Sequence, residues 1–254
     1  MTQEDAILLV RTLCAFSMNV LLVAAKGHSS RVPQKNFRPF YNEKSLVDLA
    51  IELISSFTSD NVLKIVSSDL DNYDTCFDDI AFHHRPKNLA FVETPILDVL
   101  KHIVTSFNLN VHDKIFLLQP TSPFRSLSHL NSFYELVCDS TLASVSAFST
   151  YQVVDAHPGR MYYDVSGSLH PAEKTLIDKQ SQELPPCFHR NGCFYAFSVC
   201  DIMNSSLYSP NVINYVMPYS SSINIDTITD FHIASNVYPL FLSGKIDSLP
   251  QVSL

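Results

Sequence analysis

Apolar residues in this chain fall into two patterns. The first is a short, largely unbroken run: Val20-Leu21-Leu22-Val23, Val62 to Val66, Ile115 to Leu118, Ala143 to Phe148 and Cys193 to Phe197. Runs of this length predict β-strands buried on both faces. The second is a recurrence three and four residues apart, as in Leu46, Leu49, Ala50, Leu53 and Ile54, or Ile96, Val99, Leu100, Ile103 and Phe107. That spacing puts apolar side chains on one face of a helix. Helices are predicted over Asn42 to Phe57, from Thr94-Pro95 onward, and around Ser128 to Cys138. Thr94 has the chemistry of an N-cap, and Pro95 suits the first helical position. Thr227-Ile228-Thr229-Asp230 carries capping-box spacing ahead of a last helix. A further short helix is expected before the strand at Val20.

Strands that alternate with helices predict an α/β fold with a mainly parallel sheet covered on both faces. In open sheets of this kind, ligands bind beyond the C-terminal ends of the strands. Three loops occupy that position: Ala24 to Asn36, Ser67 to Asp71 and Gln119 to Arg125. The first places Lys26, Arg31 and Lys35 just after a buried strand and a run of small residues. It has too few glycines for a Walker A or dinucleotide fingerprint. Its backbone and cations still suit a phosphate group. The segment from Thr150 to Pro186 breaks the rhythm and predicts a small β insertion that reaches a partner subunit. Beyond it, regular α/β order is expected to return at Cys193.

Composition narrows the ligand. The chain has 254 residues, 46% of them hydrophobic and 17% charged, which suits one large domain over 1–254. A net charge of −8 argues against a general nucleic-acid binder, so the local cations point to a small anionic ligand. Ile7 to Ala25 is apolar, but Glu4 and Asp5 stand where a signal peptide needs cations, and Arg11 interrupts the run. Thr12, Ser17 and Asn19 also break it, so no membrane span is expected. Cysteines at 14, 76, 138, 187, 193 and 200 form no C-x-x-C pair. They are expected to be buried thiols in a reducing, cytoplasmic setting.

Five segments then carry a family likeness: Arg31-Val32-Pro33-Gln34-Lys35-Asn36, Arg85-Pro86-Lys87-Asn88-Leu89-Ala90, Leu117-Leu118-Gln119-Pro120-Thr121-Ser122-Pro123-Phe124-Arg125, Asn191-Gly192-Cys193-Phe194-Tyr195, and Ser222-Ile223-Asn224-Ile225-Asp226-Thr227. In this order they resemble the acylneuraminate cytidylyltransferases, also called CMP-sialic acid synthetases. The resemblance implies a three-layer, Rossmann-like nucleotidyltransferase fold. It also implies a reaction of CTP with a nonulosonic acid, assisted by Mg²⁺, that yields a CMP-sugar and pyrophosphate. Such transfers call mainly for positioning and charge neutralisation. By this likeness Lys26, Lys35 and Asp226 are catalytic. Ala25, Gly27, Ser29, Arg31, Asn36 and Arg85 meet the nucleotide. Gln119, Asn191 and Tyr195 meet the sugar acid, and Asp226 with Asn224 holds the metal. The 150–186 insertion implies a homodimer whose arm closes the partner's site.

The likeness has departures, and they gather at the site. Lys26, His28 and Ser30 replace an arginine, a glycine and a lysine of the family loop; Asn224 replaces an aspartate, and Val92 stands where an aspartate is common. The family's arginine before Asn191 falls on His189, with Arg190 offset by one. Two functions therefore fit: a divergent enzyme, or a nucleotide-binding or scaffold protein without turnover. CMP-Kdo synthetases share the fold, but Asn36 favours the sialic-acid-like branch. Structural readings stand beside these. Asp226 also suits the N-cap of the last helix, and Gln119 to Pro123 suits a rigid turn. Arg85 could pair with a carboxylate, His83 and His84 read as surface residues, and Asp69 and Asp71 could cap a strand or arrange the site.

Overall fold

The structure is a computed structural model that describes residues 17–27, 32–70, 78–140, 142 and 144–246. The expected N-terminal helix, Cys14, His28, Ser29, Ser30, Arg31, Asp71, Cys76 and Ala143 lie outside the described residues. In chain order the elements are β1 (Asn19–Ala24), β2 (Pro39–Tyr41), β3 (Lys44–Ser45), α1 (Leu46–Ser56), β4 (Val62–Ser68), β5 (Ile80–His84), α2 (Ile96–Ser106), β6 (Lys114–Leu118) and α3 (Leu127–Cys138). There follow β7 (Ser146–Gln152), β8 (Tyr162–Val165), β9 (Ser168–Pro171), β10 (Phe188–Ser198), α4 (Val199–Met203), β11 (Val212–Val216) and α5 (Ile228–Leu242). The main sheet has seven strands in the order β11-β7-β10-β6-β1-β4-β5.

Three layers follow from the period of the central strands. Successive residues of a strand point to opposite faces. Leu21 and Val23 of β1 join Val47, Ala50, Ile51 and Ile54 of α1 and Leu130, Phe133 and Val137 of α3 in one core. Val20 and Leu22 join Val99, Leu100, Ile103 and Val104 of α2 in the other. A third cluster packs Phe231, Ala234 and Tyr238 of α5 against Phe40, Leu46, Phe124 and Ile225. It ties the last helix to β2, to the start of α1 and to the third loop.

All pairings in the main sheet are parallel except those of β10, which runs antiparallel to β6 and β7. A strand covers Cys193, where regular α/β order was expected to return, but it runs against its neighbours. Antiparallel neighbours need no crossover helix, and the segment between β7 and β10 is an arm instead. Its hairpin, β8 and β9, turns at Ser166 and Gly167, both at positive φ, as a tight hairpin turn requires.

Helix boundaries show what the caps do. Helix α1 starts at Leu46, not Asn42, because Ser45 and Asp48 form a reciprocal capping box. Asn42 and Glu43, at φ 46° and 61°, make the turn from β2 to β3. In α2 the N-cap is Pro95, which supplies no side-chain bond; Thr94 instead bonds Asn88 O at 3.5 Å. Helix α5 has the expected Thr227–Asp230 box. Among the described cysteines only Cys193 is buried, and Cys138, Cys187 and Cys200 are half-buried; all four are free thiols. No helix among the described residues is long and apolar enough to cross a membrane.

Candidate functional site

The loop after β1 is held to the end of β4. Ala25 N–H donates to Ser67 O at 2.9 Å, and Gly27 N–H donates to Asp69 Oδ1 at 2.7 Å. A side chain at Gly27 would begin 2.5 Å from Leu70 Cδ2, so any larger residue would have to turn the Leu70 side chain aside. Ala25 and Gly27 are both buried and shape the loop from beneath. Asp69 is thus a loop holder, which settles a role the sequence left open.

The exposed side of that loop faces a cleft of about 420 Å³. Lys26, Lys35, Asn36, Arg85, Gln119, Asn224 and Asp226 all line it, with Phe91 and Ile96 as apolar walls. Lys35 is almost buried; its Nζ donates to Ile225 O at 2.6 Å and lies 3.7 Å from Asp226 Oδ1. Lys26 Nζ reaches Val92 O at 3.4 Å. Asn36 Nδ2 donates to Lys26 O at 3.3 Å, while its Oδ1 is buried with no hydrogen-bond partner. An orphaned buried acceptor on a cleft wall is the sort of group a ligand donor satisfies. Arg85 bonds Ser67 through Nε and Nη2, and burial lowers its pKa despite the nearby Asp69.

Asp226 is not the cap of α5. Thr227 takes that place, and Asp230 Oδ2 accepts from the Asp226 and Thr227 N–H groups. The Asp226 carboxylate, half exposed, stays at the cleft. Asn224 Nδ2 donates to Asp226 Oδ2 at 3.0 Å, and Asn224 Oδ1 accepts from Ser122 Oγ at 3.2 Å. In this orientation Asn224 steadies the carboxylate and adds no oxygen beside it. Among the described residues no group of three His, Cys, Asp or Glu gathers around a metal site. A single carboxylate still suits Mg²⁺, which commonly takes one or two carboxylates and fills its sphere with phosphate oxygens and water.

Gln119, at the end of β6, also lines two neighbouring clefts of about 510 and 410 Å³. Tyr195, His189 and Arg190 border both. Asn191 borders the smaller, but its side chain is engaged inside the fold. Nδ2 donates to Ser222 Oγ and Met217 Sδ; Oδ1 accepts from Ser149 Oγ and Cys193 N–H. It organises the wall and has no donor to spare.

Two features escaped the sequence. Arg190 lies over the rings of Phe148 and Tyr208 at 5.6 and 6.0 Å and donates to Tyr208 Oη at 3.0 Å. His83 is 5% exposed and not a surface residue; only His84 is exposed. The sole sequence signal was a pair of histidines closing an apolar strand.

The seven-stranded, mainly parallel sheet with a polar cleft at its strand ends is a cytidylyltransferase-type nucleotidyltransferase fold. It is similar to a CMP:2-keto-3-deoxy-manno-octonic acid synthetase solved with CTP, at a TM-score of 0.60 and 12% identity, covering 88% of this chain and 99% of that one. A 2-C-methyl-D-erythritol 4-phosphate cytidylyltransferase from Francisella tularensis gives 0.56 and 13%, over 86% and 98% of the two chains. No family model matches the sequence. An N-acylneuraminate cytidylyltransferase of Streptococcus agalactiae is 24% identical over 225 residues, 86% of this chain and 53% of its own length. The chain thus spans about half of that relative. A pseudaminic acid cytidylyltransferase of Campylobacter jejuni is 24% identical over 232 residues, 87% of this chain and 96% of its own. The chain is thus similar, at about 24% identity, to N-acylneuraminate and pseudaminic acid cytidylyltransferases.

Proposed function

We propose that this chain joins CTP to a nonulosonic acid to give a CMP-sugar and pyrophosphate. The carrying observation is one cleft that collects Lys26, Lys35, Asn36, Arg85, Gln119 and Asp226 from separate loops and opens, at Gln119, onto two further clefts. In this reading the first cleft takes CTP and the others take the sugar acid. Lys26, Lys35 and Arg31 neutralise the triphosphate, and Arg85 and the vacant Asn36 Oδ1 orient the nucleoside end. The anomeric hydroxyl oxygen forms a bond to the α-phosphorus as its O–H bond breaks and the proton passes to solvent. The bond from that phosphorus to the bridging oxygen breaks, and pyrophosphate leaves. Gln119 places the sugar between the clefts, beside Tyr195. Mg²⁺, held by Asp226 with phosphate oxygens, would supply a counter-charge for the leaving group.

We also read 150–186 as the arm of a homodimer. Its hairpin exposes Tyr162, Tyr163, Val165 and Leu169, more apolar surface than a lone hairpin needs. Small-angle scattering that shows a monomer would remove this part.

The direct test is pyrophosphate release from CTP with a panel of nonulosonic acids and Mg²⁺. Turnover with at least one acid is expected. The orientation of Asn224 favours a second reading, nucleotide binding without turnover. CTP binding with no release for any acid would establish that reading instead.

A further inference from the structure

Arg85 is the first of a row of hydrogen-bonded side chains that runs from the first cleft to helix α2. Its Nε donates to Ser67 Oγ at 3.3 Å, and its Nη2 donates to Ser67 O at 3.1 Å. Ser67 Oγ lies 2.9 Å from His83 Nδ1. His83 Nε2 lies 2.9 Å from His102 Nδ1, which also lies 3.2 Å from Ser106 Oγ. The parallel register of β4 and β5 sets Ser67 directly opposite His83. Ser67 is fully buried and His83 nearly so, while His102 is half-buried.

Proton placement along this row follows from counting donors and acceptors. The guanidinium of Arg85 can only donate, so Ser67 Oγ accepts from it. The hydroxyl proton of Ser67 then needs an acceptor of its own. Among the described residues the one within reach is His83 Nδ1. His83 therefore carries its proton on Nε2 and donates to an unprotonated His102 Nδ1. The reverse order would bring two donors onto Ser67 Oγ and leave its proton buried without a partner, which folded proteins avoid.

We propose that His83 and His102 are positioning residues of the nucleotide site, forming a neutral, one-way relay that holds Ser67 as the acceptor for Arg85 and so fixes the direction of its guanidinium. This rests on the reading of Arg85 as a CTP-facing residue. The third nitrogen of the fork, Nη1, makes no hydrogen bond among the described residues and is the end left for a ligand at the cleft. The surroundings keep His83 neutral. Burial lowers its pKa to about 4, and positive charge on the neighbouring His102, Arg85 or His84 would act in the same direction. The Phe107 ring, 6.0 Å away, adds only apolar contact.

Two measurements on the full chain test the relay. Nitrogen-15 spectra of histidine-labelled wild type at neutral pH should show His83 protonated on Nε2 alone. A proton on Nδ1, or an imidazolium, overturns the proposal. In the second, His83→Phe should raise the Kd for CTP, and its KM, about tenfold, with kcat within about twofold. His83→Asn, whose Oδ1 can replace Nδ1 as the acceptor for Ser67, should recover most of that affinity. Unchanged CTP affinity in folded His83→Phe overturns the proposal. Should that variant not fold, His102→Leu at the half-buried end takes its place with a rise of about threefold expected. Absence of CTP binding by the wild type would remove the functional reading, and the tautomer spectrum would still uphold or overturn the relay.

Discussion

The ammonium of Lys35 lies 3.7 Å from a carboxylate oxygen of Asp226, joining the first loop of the chain to the last at the cleft. The Ile225 carbonyl, at 2.6 Å, fixes the same ammonium from the side of the last loop. A cation held this firmly needs little rearrangement when a triphosphate arrives, and preorganised charge of this kind is worth most in catalysis. Lys35→Ala is expected to lower kcat for pyrophosphate release by about 100-fold or more. The chain should stay folded, as judged by its melting curve. Turnover close to wild type would show that this loop does not hold the triphosphate.

Asn224 steadies Asp226 through its amide hydrogens and keeps a second carboxylate out of the site. Asn224→Asp replaces that hydrogen bond with a like-charge contact that a divalent cation relieves. The variant should need roughly tenfold less Mg²⁺ for half-maximal turnover, a gain of about 1.4 kcal/mol in metal binding. Without metal it should melt lower than wild type, and Mg²⁺ should restore the difference. A Mg²⁺ titration that overlays wild type would place position 224 outside the metal's surroundings.

The central layers were legible because β1 and β6 are covered on both faces and so are apolar at almost every position. Strand β5 was not, because it ends in His83 and His84. The partners that satisfy His83 stand 16 and 19 positions away, where no local pattern reaches. The direction of β10 was equally hidden. Composition marks a buried strand but not its sense, which the arm sets by returning the chain to the sheet. In the site, Lys35, Asn36, Arg85, Gln119 and Asp226 were found through their motifs and do share one cleft. Asn191 came from a motif too, yet its amide is spent on Ser149, Ser222, Met217 and Cys193. A motif marks a position as constrained without saying whether the constraint is a ligand or the wall behind it.

Gly192 is such a wall position with a measurable consequence. It sits at φ +76°, where the β10–β7 register shifts, and a Cβ there would lie 3.0 Å from Ser122 Oγ and 3.2 Å from Gln119 Oε1. Gly192→Ala therefore adds left-handed backbone strain of about 1–2 kcal/mol and displaces the Gln119 amide. A fall in melting temperature of roughly 2–8 °C is expected. The KM for the sugar acid should rise while CTP affinity is kept, because Gln119 stands where the clefts join. Equal losses for both substrates would mean that the bulge supports the whole site and not the sugar side.

Acid stability carries the signature of His83. Its pKa in the fold is about 4, below the ordinary value of 6.5 that it regains on unfolding. The unfolded chain therefore binds the extra proton between these values, and protons favour unfolding. The sign is that stability from the neutral ring is complete above pH 6.5 and is lost as pH falls toward 4. One proton sets a ceiling of about 1.4 kcal/mol per pH unit on that slope. Urea melts of wild type and His83→Asn should show a constant stability difference above pH 6.5, and between 6.5 and 4 the wild type should lose stability relative to the variant, since Asn has no proton to gain. Parallel curves across this window would mean that His83 already titrates normally in the fold, and the buried relay behind Arg85 would lose its neutral acceptor.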